Sequence, residues 1–180
     1  VSADAAARLR TVPADLTDFT LDARFPLVIA AMNTLQVLLE PEDQLACLGC
    51  VRRHLADGGE FWFDLSLPDV ADIAASLGLE RAGGNHHDPE RDVTLWHTAW
   101  YRDIDPTTGT AEFTHRIQEV AGDGTTRTWH REHTVHLFTP PELQHLLARA
   151  GLRVLQRFGD FAGAELAPGA ERQIHRCGVA

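Results

Sequence analysis

The stretch from Phe25 to Leu65 constrains the fold of this chain more than any other. Leu27–Met32 is an unbroken apolar run, and Glu60–Leu65 contains a second one. Runs this short, without polar alternation, suit strands covered on both faces. The residues between them, Glu40–Ala56, carry a helix pattern. Pro41 fits the first helical position, and Glu42 and Asp43 favour the positive end of the helix dipole. Leu45, Leu48, Val51 and Leu55 recur as an apolar stripe, Arg52, Arg53 and His54 sit at the negative end, and Gly58-Gly59 reads as the stop. Strand, helix and strand in this order predict parallel strands joined by a crossover helix.

The flanking segments extend the pattern. Ser2 can cap a short helix over Ala3–Leu9. Thr11–Ala14 reads as a short extended segment ending at Asp15. Val70–Leu79 reads as a helix closed by Gly83-Gly84. Beyond it the chain becomes rich in Thr, Trp, Val and Phe, over Thr94–Ile104, Thr110–Val120 and Thr125–Phe138, with turn residues between. This predicts a three-stranded antiparallel meander over residues 94–138. Thr139-Pro-Pro-Glu142 is a capping box, followed by Leu143, Leu146, Leu147 and Ala150 at helical spacing. Leu152–Phe158 and Gln173–Val179 read as closing strands.

The chain has 180 residues and a net charge of -10, from 16 basic and 26 acidic side chains. That length suits one domain. The acidic balance argues against nucleic acid as a partner, because phosphate binding needs clustered cations. No apolar run approaches the roughly 20 residues of a membrane-spanning helix. The odd, low cysteine count (Cys47, Cys50 and Cys177) fits a reducing cytoplasm rather than a disulfide framework. His86-His87-Asp88 and the repeat His130, His133, His136 lack the closed ligand set of a zinc site, so no metal is expected. Ser66 and Ser76 have no nucleophile elbow around them.

Taken in order, several segments resemble the class I S-adenosylmethionine-dependent methyltransferases. Val12-Pro-Ala-Asp15-Leu16 resembles the end of that family's third strand. Phe25–Gln36 resembles its fourth strand and the loop that follows. Leu55-Ala-Asp-Gly-Gly59 resembles the turn into its fifth strand. Phe138–Leu143 with Ala150-Gly-Leu152 resembles its last helix, and Gly159-Asp-Phe161 with Glu171–Ile174 its closing hairpin. The resemblance implies an α/β fold over residues 1–180: an incomplete doubly wound, Rossmann-like sheet with the meander inserted as a lid. It implies S-adenosylmethionine as cofactor and a small-molecule oxygen or nitrogen as methyl acceptor. Asp15 and Leu16 then correspond to the residues that meet the adenine. Ala31, Met32 and Asn33 correspond to the end of the strand beside the sulfonium.

Methyl transfer is a displacement that needs an aligned nucleophile and sometimes a base. Strand parity groups Trp96, Trp100, Phe113, Ile117, Trp129, Val135 and Leu137 on one meander face. It leaves His97, Tyr101, Arg116, His130 and Glu132 on the other. His130 and Tyr101 are the candidate catalytic groups, and His97, Arg116 and Glu132 the candidate substrate contacts.

The chain departs from the family in one large respect. The first strand, its Gly-rich loop and the ribose-binding acid are absent, and no glycine occurs before Gly49. A Gly-rich turn lets backbone N–H groups approach a charged ligand closely. In the family's sheet the first strand lies against the fourth, so Leu27–Met32 is expected to present an open, apolar edge. Such an edge invites self-association or a complementing chain. The alternative to a truncated enzyme is a non-catalytic methyltransferase-like partner subunit or binding module.

Overall fold

The computed structural model describes residues 7–180 of the chain. Of the helix expected over Ala3–Leu9, the first four residues lie outside them, and Leu9 is not helical. The described residues form a mixed α/β structure with two four-stranded sheets. The elements run β1 (Phe25–Ala30), a 3-10 turn (Thr34–Val37), α1 (Pro41–His54), β2 (Leu55–Ser66), α2 (Val70–Ala75), β3 (Arg81–Asp88), β4 (Val93–Asp105), β5 (Thr110–Ala121), β6 (Thr126–His136), α3 (Pro140–Arg149), β7 (Leu152–Phe158) and β8 (Arg172–Val179).

The main sheet has the order β1-β2-β8-β7. β1 pairs parallel with β2, and β8 lies antiparallel between β2 and β7. One face is packed. Leu48 and Val51 of α1 and Leu143 and Leu147 of α3 meet Phe61, Phe63, Leu65, Leu152 and Cys177 in a single apolar cluster, which Val28 and Ala30 flank. The helix α1 closes on a side chain. His54 Nε2 accepts the Leu21 N–H at 2.9 Å, so its Nδ1–H donates to the Cys50 carbonyl at 2.7 Å. That bond ties the His54 ring to the last turn of the helix.

β1 does not meet the expectation of burial on both faces. Leu27 is 48% exposed and Ile29 63% exposed. The cause is its position. β1 is an edge strand, and among the described residues no helix crosses the second face of the sheet. Among the described residues β1 pairs with no strand other than β2, so its outer edge is open there, as the sequence leads one to expect. Thr11–Ala14 forms no strand; Asp15 and Asp18 make an isolated bridge instead. Pro13 offers no backbone donor there.

The second sheet has four strands, β3-β4-β5-β6, not three. β3 was illegible because Arg81–Asp88 has no β-branched or aromatic residue and contains Gly83-Gly84. Gly83 is a packing requirement, not a helix stop. The ring of His97 lies over it so closely that a Cβ at Gly83 would sit 2.1 Å from Nδ1. The helix expected over Val70–Leu79 shortens to α2, ending where Ser76 Oγ donates back to the Asp72 carbonyl at 2.7 Å. Gly58-Gly59 falls inside β2, since α1 has already ended at His54.

α3 starts as the sequence predicts. The Thr139 hydroxyl accepts from the Glu142 N–H while the Glu142 carboxylate accepts from the Thr139 N–H. Glu142 also bonds His136 Nε2 at 2.6 Å, which ties the cap to the end of β6. Thr139→Ala is expected to lower the unfolding free energy by about 1 kcal/mol. Urea midpoints of the two proteins check this.

Candidate functional site

The carboxyl ends of β1 and β2 lie beside two concavities. In parallel α/β sheets ligands bind outside these strand ends. As β1 ends, Met32 and Asn33 both turn left-handed, with φ of 59° and 61°. Non-glycine residues adopt this conformation at a cost, so neighbours must hold it. The Met32 N–H donates to Asp64 Oδ1 at 2.8 Å. The Ser66 N–H donates to Asn33 Oδ1, also at 2.8 Å. Asp64, buried to 5% exposure, takes Arg172 of β8 on its other oxygen. The Arg172 guanidinium lies 5.4 Å from the centre of the Phe161 ring.

Two concavities adjoin this exit. An apolar one of about 700 Å³ covers the open face of the sheet, lined by Ile29, Ala31, Trp62, Phe161 and Ile174 with Asp64 at its floor. A polar one of about 880 Å³ lies between Ser66, Arg172 and Glu171 on one side and Asp72, Arg81 and Tyr101 on the other. Arg81 is bonded through both terminal nitrogens to Asp72. Asp69 and Glu171 make no ion pair among the described residues. The Tyr101 hydroxyl is pushed up by burial and by the Asp72 carboxylate, against a smaller opposing pull from Arg81. It stays protonated at neutral pH.

Asp15 is exposed, and its Oδ1 accepts both the N–H and the hydroxyl of Thr17, at 2.8 and 2.7 Å. The side-chain bond to Thr17, then its backbone bond, hold the carboxyl below its ordinary value. The Thr17 carbonyl in turn accepts the Cys50 thiol of α1 at 3.4 Å. Leu16 is exposed beside it. The structure thus joins Met32 and Asn33 to β2, leaves Ala31 between them and β1, and anchors Asp15 separately on the flank of α1.

The register of the second sheet separates residues expected on one face. His97 lies opposite Ile117, which lies opposite Trp129; Tyr101 lies opposite Phe113, which lies opposite His133. Arg116 lies opposite Thr98 and His130, and Thr114 opposite Trp100 and Glu132. The cause is a bulge between Tyr101 and Asp103. One extra residue in β4 reverses its parity against β5 and β6. His97 and Tyr101 therefore share a face with Phe113, Ile117 and Trp129. Arg116, His130 and Glu132 lie on the opposite face with Trp96 and Trp100. There Arg116 pairs with Glu80 at 2.6 Å, Glu132 with Arg102 at 2.7 Å, and His130 meets Trp100 edge-on.

The Tyr101 face also carries His115, which sequence reasoning missed, between His97 and His133. His97 Nε2 and His115 Nδ1 are 2.7 Å apart, and the rings of His115 and His133 stack at 5.1 Å. Burial, then the neighbouring His133, His97 and Arg131, lower His115; burial, then Arg131, lowers His133. Both are neutral at pH 7. Among the described residues no group of three His, Cys, Asp or Glu side chains could hold a metal ion. Among the described residues no helix is long and apolar enough to cross a membrane.

No family model matches the chain. The chain is 28% identical over 155 residues to a cypemycin N-terminal methyltransferase from Streptomyces, covering 86% of this chain and 58% of that protein. Its fold matches an S-adenosylmethionine-dependent methyltransferase from Clostridium acetobutylicum with a TM-score of 0.77 at 15% identity, over 98% of this chain and 67% of the other. It also matches the glycopeptide N-methyltransferase MtfA, solved with S-adenosylhomocysteine, with a TM-score of 0.58 at 25% identity, over 100% of this chain and 64% of the other. The chain thus spans a little under two-thirds of its sequence relative's length.

Proposed function

We propose that this chain, which belongs with the class I S-adenosylmethionine-dependent methyltransferases, forms the acceptor side of an enzyme that methylates a small molecule at nitrogen. The observation that carries this reading is the exit of β1. A left-handed pair at the carboxyl end of a parallel strand stands between an apolar and a polar concavity.

The residues present fit part of the cofactor. Ala31, Met32 and Asn33 offer a backbone wall with an 86%-exposed Met32 side chain. Asp15, exposed and ionised, can accept an exocyclic amine, and the Leu16 N–H can donate to a ring nitrogen. When bound, S-adenosylmethionine supplies an electrophilic methyl group. Residues 1–180 offer no Gly-rich cradle ahead of β1 for its charged end, since the first glycine, Gly49, is inside α1. The sheet is then one part of a doubly wound sheet, and β1 is the strand at which the rest joins. β3–β6 form a lid.

The polar concavity points to the acceptor. Arg81 and Arg172 are neutralised by Asp72 and Asp64, so Asp69 and Glu171 leave it negative. An amine is attracted by such a lining, and an anion is repelled. Of the proteins named above, MtfA is named a glycopeptide N-methyltransferase, and the Streptomyces relative is named for methylation at an amino terminus. Tyr101, protonated, can orient the amine. His97, His115 and His133 form an imidazole row on the same face, in which His115 and His133 are held neutral and offer ring nitrogens to a released proton. His130, Arg116 and Glu132 lie on the other face and are assigned no contact with the acceptor.

A second reading rests on the open β1 edge. Leu27 and Ile29 beside unpaired backbone groups suit docking of a complementing chain. The two readings part on one measurement. Calorimetry with S-adenosylhomocysteine compares residues 1–180 alone with the same chain joined to the amino-terminal segment of the Streptomyces relative. The joined form is expected to bind at micromolar strength, at least about a hundredfold tighter than residues 1–180 alone. Absence of binding by the joined form would remove the cofactor reading.

A further inference from the structure

Asp64 stands out because the sequence gives it no reason to be where it is. It is a carboxylate in the buried strand Phe61-Trp-Phe-Asp-Leu65, placed opposite the apolar Ile174. An ionised group so buried is tolerated only when its oxygens are occupied. Both are. Oδ1 takes the Met32 N–H at 2.8 Å and Oδ2 takes Arg172. Neither bond is local, since they join the exit of β1 and the start of β8 to the end of β2.

The Met32 bond has a specific consequence. Met32 and Asn33 carry successive left-handed φ values, and neither is glycine. Asn tolerates this conformation better than most residues. Met gains nothing from it, and its exposed side chain brings no packing in return. What holds Met32 there is its backbone. Its N–H is fixed by Asp64, and the next residue is fixed through the Asn33 side chain to Ser66 and the Asn33 carbonyl to the Gln36 N–H at 2.9 Å. Strain of this kind persists where surroundings over-determine it, and it gathers at functional sites.

We propose that Asp64 is a positioning residue: it holds Met32 left-handed and locks Arg172 at the polar concavity, and so fixes the wall against which the cofactor's reactive end lies. This rests on the cofactor reading given above. Asp64 does not touch the reacting atoms. Its effect is transmitted through the Met32 backbone and the Arg172 guanidinium, which reaches towards Phe161 on one side and the polar concavity on the other.

The test uses Asp64→Asn, Asp64→Ala and each of them combined with Met32→Gly in the 180-residue chain. Asn keeps an oxygen for the Met32 N–H; Ala does not. Glycine adopts positive φ without steric cost. In Asp64→Ala the strong intraresidue amide–Hα Overhauser effect that marks positive φ at Met32 is expected to vanish, and the Met32 amide to exchange at least about tenfold faster. Asp64→Asn is expected to keep both signatures. The loss of thermal stability in Asp64→Ala is expected to shrink when Met32 is already Gly, because the two changes act on one strained turn. An Asp64→Ala protein that folds only with Met32→Gly is the extreme form of that result.

Persistence of the left-handed signature in Asp64→Ala, or equal losses of stability in both backgrounds, would overturn the proposal. S-adenosylhomocysteine affinity, measured on the joined form, should fall about tenfold in Asp64→Ala and recover to within about threefold in Asp64→Asn. Equal affinity in wild type and Asp64→Ala would also overturn it. Failure of the wild-type joined form to bind removes the cofactor reading instead, and leaves the Met32 signatures to judge Asp64.

Discussion

Phe138→Ala is expected to remove about 3–5 kcal/mol of unfolding free energy, the usual cost of emptying a phenylalanine site in a well-packed core. Phe138 is 1% exposed and belongs to the apolar cluster that joins α1, α3 and the main sheet. It also occupies a joint. It follows the last strand of the second sheet, its ring centre is 4.4 Å from that of His136, and its carbonyl accepts Gln173 Nε2 at 2.7 Å from β8. The cavity would open where the second sheet is held to the first. Phe161 offers the contrast: it is 74% exposed, so its replacement by Ala should cost no more than about 1 kcal/mol, the scale of its contact with Arg172. Urea denaturation of the three proteins decides. Equal midpoint shifts for the two variants would refute the assignment of Phe138 as a core residue.

Legibility in the sequence followed the range of the forces. β1, α1, β2, α3, β7 and β8 could be read because each carries a local signal: an apolar run, a cap, a stripe, or alternation. The capping box at Thr139 is complete within four residues and appears as written. What escaped depends on partners distant in sequence. β3 is a strand through its pairing with β4, where Gly83 leaves room for the His97 ring. The faces of the second sheet turned on one inserted residue in β4, which no periodicity in β4 announces. Asp15 and Met32 could be named as candidates, yet the residues that hold the β1 exit, Asp64, Ser66 and Arg172, could not. Asp64 alone left a trace, as a charge inside an apolar strand. The row His97, His115, His133 exists only once three strands are in register.

Acid is expected to weaken the fold by about 3 kcal/mol between pH 6.5 and pH 4, through His175 alone. His175 is 0% exposed, and its ring stacks on Phe63 at 4.8 Å. Its tautomer is set by its neighbour. The Gln173 amide nitrogen donates to the Phe138 carbonyl, so the Gln173 oxygen accepts from His175 Nε2–H at 3.0 Å. Nδ1 therefore carries the lone pair, and it is buried without a partner. A proton added there would charge a ring that has no acceptor for it. Burial first, and the Arg157 cation second, push His175 down to about 4 from an ordinary 6.5. The sign follows. Above pH 6.5 the ring is neutral in both the folded and unfolded chain, and its contribution is fully present. As pH falls, the unfolded chain takes up the proton first, and stability is lost until the folded ring titrates near pH 4. His115 and His133 are lowered too and act in the same direction. Carboxylates enter later. Glu142 is raised by burial but lowered more by its bonds to His136 and the Thr139 N–H, so its share is lost only below the ordinary glutamate range. His175→Met removes one titrating group while keeping much of the volume. Its unfolding free energy, from urea midpoints at a series of pH values, should fall less steeply between pH 6.5 and 4 than that of wild type. Parallel slopes would mean that the His175 ring already carries its proton in the native state, and that the hydrogen-bond chain through Gln173 to Phe138 does not set its tautomer.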